Sequence, residues 1–304
     1  MSSKPNVSIR VLPAGAGLAW LAGSLALVRA QPWRLLLLTV LMQAVLSLSQ
    51  VPLLGLLVVL AMPAFSAGLL QGFHMVSAGQ RPPLAVLFTP LTSRPRTGRL
   101  LALGAVMFAA GILSASLLMG GAFGEGAGGL DPDLISRIEQ GDTEALTQID
   151  PEFIFRMAAA LATAVAVTGT LSYLTIPLIW FSELPVGTAL LAGLRAMVVN
   201  WKPFLVLALG MAAALVPVAL VLGMLFGGGG ASPGGSVLGL VLVIGVMLFV
   251  QLMIFGTQYC AHRAIFGLSD AGGSSTGAPD DNVNNGDDDR GDRPEGGDGG
   301  QFVA

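Results

Sequence analysis

His74 and His262 are the only histidines in this chain of 304 residues, and each stands near the end of a long run free of ionised side chains. Imidazoles act as metal ligands, proton carriers and anion partners, so the two together could form a ligand, proton or headgroup site. Gln71, Gln258 and Tyr173 complete the candidate polar site, being among the few polar side chains in those apolar runs, with Gln43, Thr168, Thr175 and Gln251. The competing reading is two histidines at the membrane interface, bonded to backbone or lipid near helix C-termini, where a positive charge is favoured. No other catalytic vocabulary is present. No Gly-x-x-x-x-Gly-Lys phosphate loop occurs, and Gly15 and Gly17 lack the third glycine of a dinucleotide fingerprint. Cys260 is the single cysteine, so no internal disulfide can form, and it reads as a small apolar filler. The chain is expected to have no enzymatic activity, cofactor or metal.

The elements that would position these residues follow from charge. Residues 35–80, 100–124, 157–182 and 203–262 contain no Asp, Glu, Lys or Arg. A bilayer-crossing helix needs about 20 apolar residues, so the two short runs hold one helix each and the two long runs a hairpin each. The chain is 54% hydrophobic and 11% charged, with a mean hydropathy of +0.77, against about 25% charged in soluble domains. The expected fold is all-α and polytopic, with spans near 35–50, 52–76, 100–122, 157–181, 203–226 and 236–260. Pro52 is expected to open the second span, since proline suits a helix's first turn. The glycine-rich residues 227–235 should divide the last hairpin. Pro63, Pro177 and Pro217 could break helices and free backbone groups for a site. The third and fourth spans carry small residues at a spacing of four, such as Ala158, Ala162 and Ala166, which permit close approach.

Six crossings put both termini on one side. Eleven of the Lys and Arg residues before the tail fall there, and only Arg137 and Arg156 fall opposite. The basic side is the cytoplasmic one. Arg81, Arg94, Arg96 and Arg99 form a basic segment with Leu84, Val86, Leu87 and Phe88, expected to contact the anionic leaflet. The only partners implied are membrane lipids, and no basic surface suggests nucleic acid. On the other side, Glu125 to Glu152 holds eight acids, a solvated face or a cation attractor. Asp131-Pro132 and Asp150-Pro151 each read as a helix start. Residues 268–304, rich in Gly, Asp, Asn and Ser, should be a disordered acidic tail.

Residues 17–23, Gly-Leu-Ala-Trp-Leu-Ala-Gly, repeat as 187–193, Gly-Thr-Ala-Leu-Leu-Ala-Gly. Each copy leads through a polar break, Gln31-Pro32-Trp33 or Asn200-Trp201-Lys202-Pro203, into a hairpin ending at His74 or His262. This is a parallel repeat over 15–76 and 186–262: a helix lying on the membrane, a break and two crossings. It disfavours reading Val28-Arg29-Ala30 as a signal-peptidase site.

The opening Pro13-Ala14-Gly15-Ala16-Gly17-Leu18-Ala19-Trp20, with Gln31-Pro32-Trp33, Pro63-Ala64-Phe65-Ser66-Ala67-Gly68, Gly79-Gln80-Arg81-Pro82-Pro83 and Asn200-Trp201-Lys202-Pro203-Phe204, resembles a family of bacterial six-span inner-membrane proteins with no assigned activity. Residues 10–267 carry the resemblance, which implies location and fold and transfers no functional residue. The chain also resembles the membrane domain that accompanies some bacterial glycerophosphodiester phosphodiesterases, without hydrolase sequence in these residues. The expected role is an envelope-associated scaffold or lipid-handling component. The alternative is a channel or carrier for an uncharged or amphipathic solute, with Gln71, Tyr173, Gln251 or Gln258 lining its cavity.

Overall fold

The computed structural model describes residues 8–51, 54–120, 132–140, 142, 148–227 and 233–267. The order is α1 (Ala16–Ala30), α2 (Pro32–Ser47, prolonged by a tight turn Leu48–Gln50), α3 (Leu54–Ser77), a tight turn Leu84–Phe88, α4 (Thr89–Thr92), α5 (Arg96–Gly120), α6 (Pro132–Glu139), α7 (Pro151–Tyr173), α8 (Thr175–Phe181), α9 (Val186–Val199), α10 (Trp201–Gly227) and α11 (Pro233–Phe266). No strand occurs among the described residues. Six segments are long and apolar enough to cross a membrane: Pro32–Gln50, Leu54–Ser77, Arg96–Leu117, Pro151–Phe181, Trp201–Val218 and Gly239–Phe266. The protein is an all-α, multi-pass membrane protein.

Proline and aspartate punctuate the helices as their chemistry requires. Pro32 and Pro151 occupy first turns, where no intrahelical N–H is needed. The Asp150 carboxylate accepts from the Glu152 N–H at 2.9 Å and caps α7. The short helix expected after Asp131 begins at Pro132. Pro63 and Pro217 lie inside continuous helices. The fourth span is interrupted at Leu174, dividing α7 from α8 just before Pro177. Pro52, the glycine run 228–232, much of the acidic loop and the tail 268–304 lie outside the described residues.

The buried core gathers at one end of the bundle. It comprises residues 63–76 of α3, the first half of α2, Leu100 and Leu103 of α5, all but the last residue of α8, and α11 beyond Leu252. This end carries Arg10, Arg96, Arg99 and Arg263. Toward the opposite end the spans turn side chains outward, as at Leu117, Leu161 and Val241. Half of the apolar window in Leu54–Ser77 is buried, against 6% in Pro151–Phe181. Thus α3 is the central helix, and α7 touches protein mainly along α5.

Glycines permit the closest approaches. A Cβ on Gly104 of α5 would collide with the Leu60 carbonyl of α3, and one on Gly68 of α3 with the Leu87 carbonyl. The second contact folds the turn Leu84–Phe88 back along α3. Val86 and Leu87 are buried there, and Phe88 meets Phe65 edge-on at 6.0 Å. Part of the basic segment expected at the lipid surface therefore packs on protein.

The two copies of the repeat motif occupy different surroundings. Helix α1 packs between α10 and α11, burying Gly17, Trp20, Ser24 and Val28 as one stripe. Gly17 abuts the Pro203 carbonyl and lies 2.7 Å, at its Cβ position, from Leu207 N. Helix α9 instead packs on α7, α8 and α5, and Gly187 meets nothing within 4 Å. At both breaks an amide side chain ties down a neighbouring strand of chain. Gln31 donates to the Gln80 carbonyl at 3.0 Å. Asn200, buried, accepts from Leu12 N at 2.8 Å and donates to the carbonyls of Arg10 and Ala196.

Candidate functional site

The basic end of the bundle brings the two histidines into one aromatic cluster. His74 near the end of α3 and His262 near the end of α11 both lie against the Phe181 ring, at centroid distances of 5.5 and 5.7 Å. Tyr259, one turn before His262, touches His74 and Phe181 as well. The cluster thus joins three spans at the ends of their helices.

His74 belongs to a closed circuit of hydrogen bonds. The Ser77 hydroxyl donates to the His74 carbonyl at 2.8 Å. Its proton is therefore committed, and the Tyr259 hydroxyl, 2.7 Å away, must donate to Ser77. Tyr259 oxygen then accepts from His74 Nδ1, 3.1 Å away. The elimination assigns the Nδ1–H form to His74, since each hydroxyl supplies a single proton. The circuit ties α3 to α11. Arg263 stands over the Tyr259 ring at 5.9 Å.

His262 differs sharply. It is fully buried, and neither ring nitrogen has a hydrogen-bond partner among the described residues. Its ring lies between those of Phe181 and Phe266, tilted by 34° and 39°. An unsatisfied buried polar group costs about 1–3 kcal/mol. The contacts the imidazole makes with Phe181 and Phe266 are ring packing, as at an apolar core position.

The other polar candidates are used between helices. Pro177 has no N–H, so the Tyr173 carbonyl four residues earlier loses its helical donor. Gln258 supplies the replacement, donating to that carbonyl at 2.7 Å. The Tyr173 hydroxyl donates to Thr257 at 3.1 Å. The Trp180 indole donates to Gln71 at 2.9 Å, joining α8 to α3. Gln43 donates to Gln251 at 2.7 Å, joining α2 to α11. Gln71, Tyr173 and Gln258 are thus brought to the same end of the bundle as the histidines, with Gln258 joined to Tyr173 and Gln71 to Trp180.

Of the four basic candidates, two are engaged with protein. Glu183 follows α8 in a left-handed conformation, φ +54°, which non-glycine residues rarely adopt. Its carboxylate pairs with Arg96 and its carbonyl with Arg99. The Arg96 guanidinium also lies 5.2 Å over the Trp180 ring. Arg81 and Arg94 are exposed. Glu183, Ser77 and Tyr259 escape sequence reasoning, and Asn200 was read only as part of a polar break. The one available signal was that Glu183 is the sole acid between Glu152 and the tail.

Away from the cluster, two clefts lined by described residues open between the spans. One, of about 350 Å³, lies among α3, α5 and α7, bordered by Pro63, Gly104, Gly111 and Thr168. The other, of about 470 Å³, lies among α1, α10 and α11. Apart from Thr168, all the residues lining them are apolar or glycine. Among the described residues no three His, Cys, Asp or Glu side chains gather as metal ligands would. No protein family, curated protein or solved structure matches the chain.

Proposed function

We propose that this multi-pass protein is a non-enzymatic, lipid-handling component of a bacterial inner membrane, with both termini in the cytoplasm. The distribution of Lys and Arg supports that orientation. The resemblance to bacterial six-span inner-membrane proteins supports the location. One observation carries the functional reading: Gln43, Gln71, Tyr173, Gln251 and Gln258 are bonded helix to helix, whereas the two clefts between spans are apolar. What these two clefts offer to an incoming molecule within the bilayer is hydrocarbon-like surface. A path for a polar solute needs polar groups left free along it, and the residues that could line one are those already paired. The non-enzymatic reading draws on the same geometry, with His74 in a hydrogen-bond circuit and His262 enclosed by phenyl rings.

Copurification of the full chain from native membranes, with lipid analysis of the bound fraction, tests the proposal. Enrichment of a lipid class over its share in the bulk membrane is expected. A bound fraction with bulk composition, together with flux of an uncharged solute in reconstituted vesicles, would transfer support to the channel reading.

A further inference from the structure

We propose that the cleft between α1, α10 and α11 holds one acyl chain of a membrane lipid, a site that rests on the lipid-handling reading above. The cleft is the groove of the last hairpin. From the basic end, α1 fills it: Gly17 touches backbone at Pro203 and Leu207, Leu18 and Leu21 cover Gly210, and Ser24 fits where Gly256 has no side chain. Beyond Leu25 this filler stops, because α1 ends at Ala30 and the chain crosses to the side of α3 through the Gln31 to Gln80 bond. The groove itself continues between α10 and α11, with Ala214 on one wall and Gly245, Phe249 and Met253 on the other.

Three features select the occupant. Both walls belong to segments apolar and long enough to cross a membrane, so the medium reaching the cleft is bilayer hydrocarbon. The lining carries no polar side chain, so water would find no partners there. The shape is elongated. On α11 the lining runs from Val241 to Met253, about 18 Å at 1.5 Å per residue. Half the hydrocarbon thickness of a bilayer is about 15 Å. The cleft is therefore as long as one leaflet is deep, and its volume of about 470 Å³ falls within the ~300–1,000 Å³ typical of ligand sites. Three helices surround a chain lying there, giving it more dispersion contacts than neighbouring lipid would.

Gly245 provides the test, because a Cβ there meets nothing within 4 Å. Gly245 lines the cleft, so Gly245→Phe adds a ring at its wall, starting from a Cβ that meets no neighbour. Gly169→Phe, on α7 and equally open, adds the same ring outside the cleft. The full chain is reconstituted with palmitoyl-oleoyl phosphatidylglycerol and phosphatidylethanolamine, re-extracted in mild detergent, and its retained lipids are counted by native mass spectrometry. Wild type and Gly169→Phe should retain one lipid per chain, and Gly245→Phe about tenfold less, equal to ~1.4 kcal/mol. If Gly245→Phe does not fold, Ala214→Phe is read in the same way. Wild-type retention by the cleft variants, or equal loss from Gly169→Phe, overturns the site and leaves the lipid-handling reading standing. Failure of wild type to retain any lipid overturns both.

Discussion

Tyr259 and His262 stand one turn apart on α11 and share the Phe181 ring as a neighbour, yet only Tyr259 is hydrogen-bonded. The two positions should respond oppositely to removal of their polar atoms. Tyr259→Phe leaves His74 Nδ1 and Ser77 without their shared partner and should destabilise by about 1–2 kcal/mol. His262→Phe removes two unsatisfied nitrogens and keeps a planar ring between Phe181 and Phe266. It should be neutral or stabilising by up to about 2 kcal/mol. Thermal unfolding of both variants in one detergent checks the pair. A large loss of stability in His262→Phe would mean that the imidazole has a polar role.

Glu183 holds a left-handed conformation that glycine adopts freely. Glu183→Gly relieves about 1 kcal/mol of backbone strain but loses the pairing with Arg96. That pair is partly exposed, with side-chain accessibilities of 34% and 58%, so it contributes at most about 1 kcal/mol. The two effects nearly cancel, and unfolding should move by less than about 1 kcal/mol. Glu183→Val, with a branched Cβ at the same φ, should cost at least about 2 kcal/mol. Equal stabilities for the Gly and Val variants would refute the left-handed assignment.

Two glycines in the spans should differ in sign. At Gly104 an added methyl meets the Leu60 carbonyl, so Gly104→Ala forces α3 and α5 apart at a cost of about 1–3 kcal/mol. At Gly169 the space is open, and Gly169→Ala should gain up to about 1 kcal/mol through helix propensity. Urea or thermal unfolding of the two single variants decides it.

The pairing of Gln43 with Gln251 should behave as a structural tie. A double-mutant cycle with Gln43→Leu and Gln251→Leu should give a coupling near 0.6 kcal/mol, the average for hydrogen bonds between membrane helices. Loss of solute flux in vesicles on either substitution, with stability unchanged, would contradict this and favour a conducting path.

Much of the fold was legible in local chemistry. Runs without ionised residues located the six long apolar helices, because burying a charge in hydrocarbon is costly whatever the helix packs against. Asp150-Pro151 marked the start of α7 because capping involves only neighbouring residues. Pro177 marked a place where a helix could free backbone groups, but nothing local named Gln258, 85 residues from Tyr173, as the donor to the freed carbonyl. The candidate site was legible only in part. His74 and His262 were visible as the two histidines, and their shared neighbour Phe181 was not. Glu183 acquires a role only through its φ and its two arginines, which no local sequence signal carries.

What the sequence by itself determined is the set of membrane-spanning helices and where most of them begin, since hydropathy and helix punctuation act over a few residues. Only the tertiary structure decided that the core gathers at the basic end, that α1 fills half of the last hairpin while its repeat partner α9 packs elsewhere, and that the polar side chains pair with one another. These outcomes depend on close backbone approaches such as Gly17 on Pro203 and Gly104 on Leu60. Such contacts join residues far apart in the chain, and no short window of sequence contains both partners.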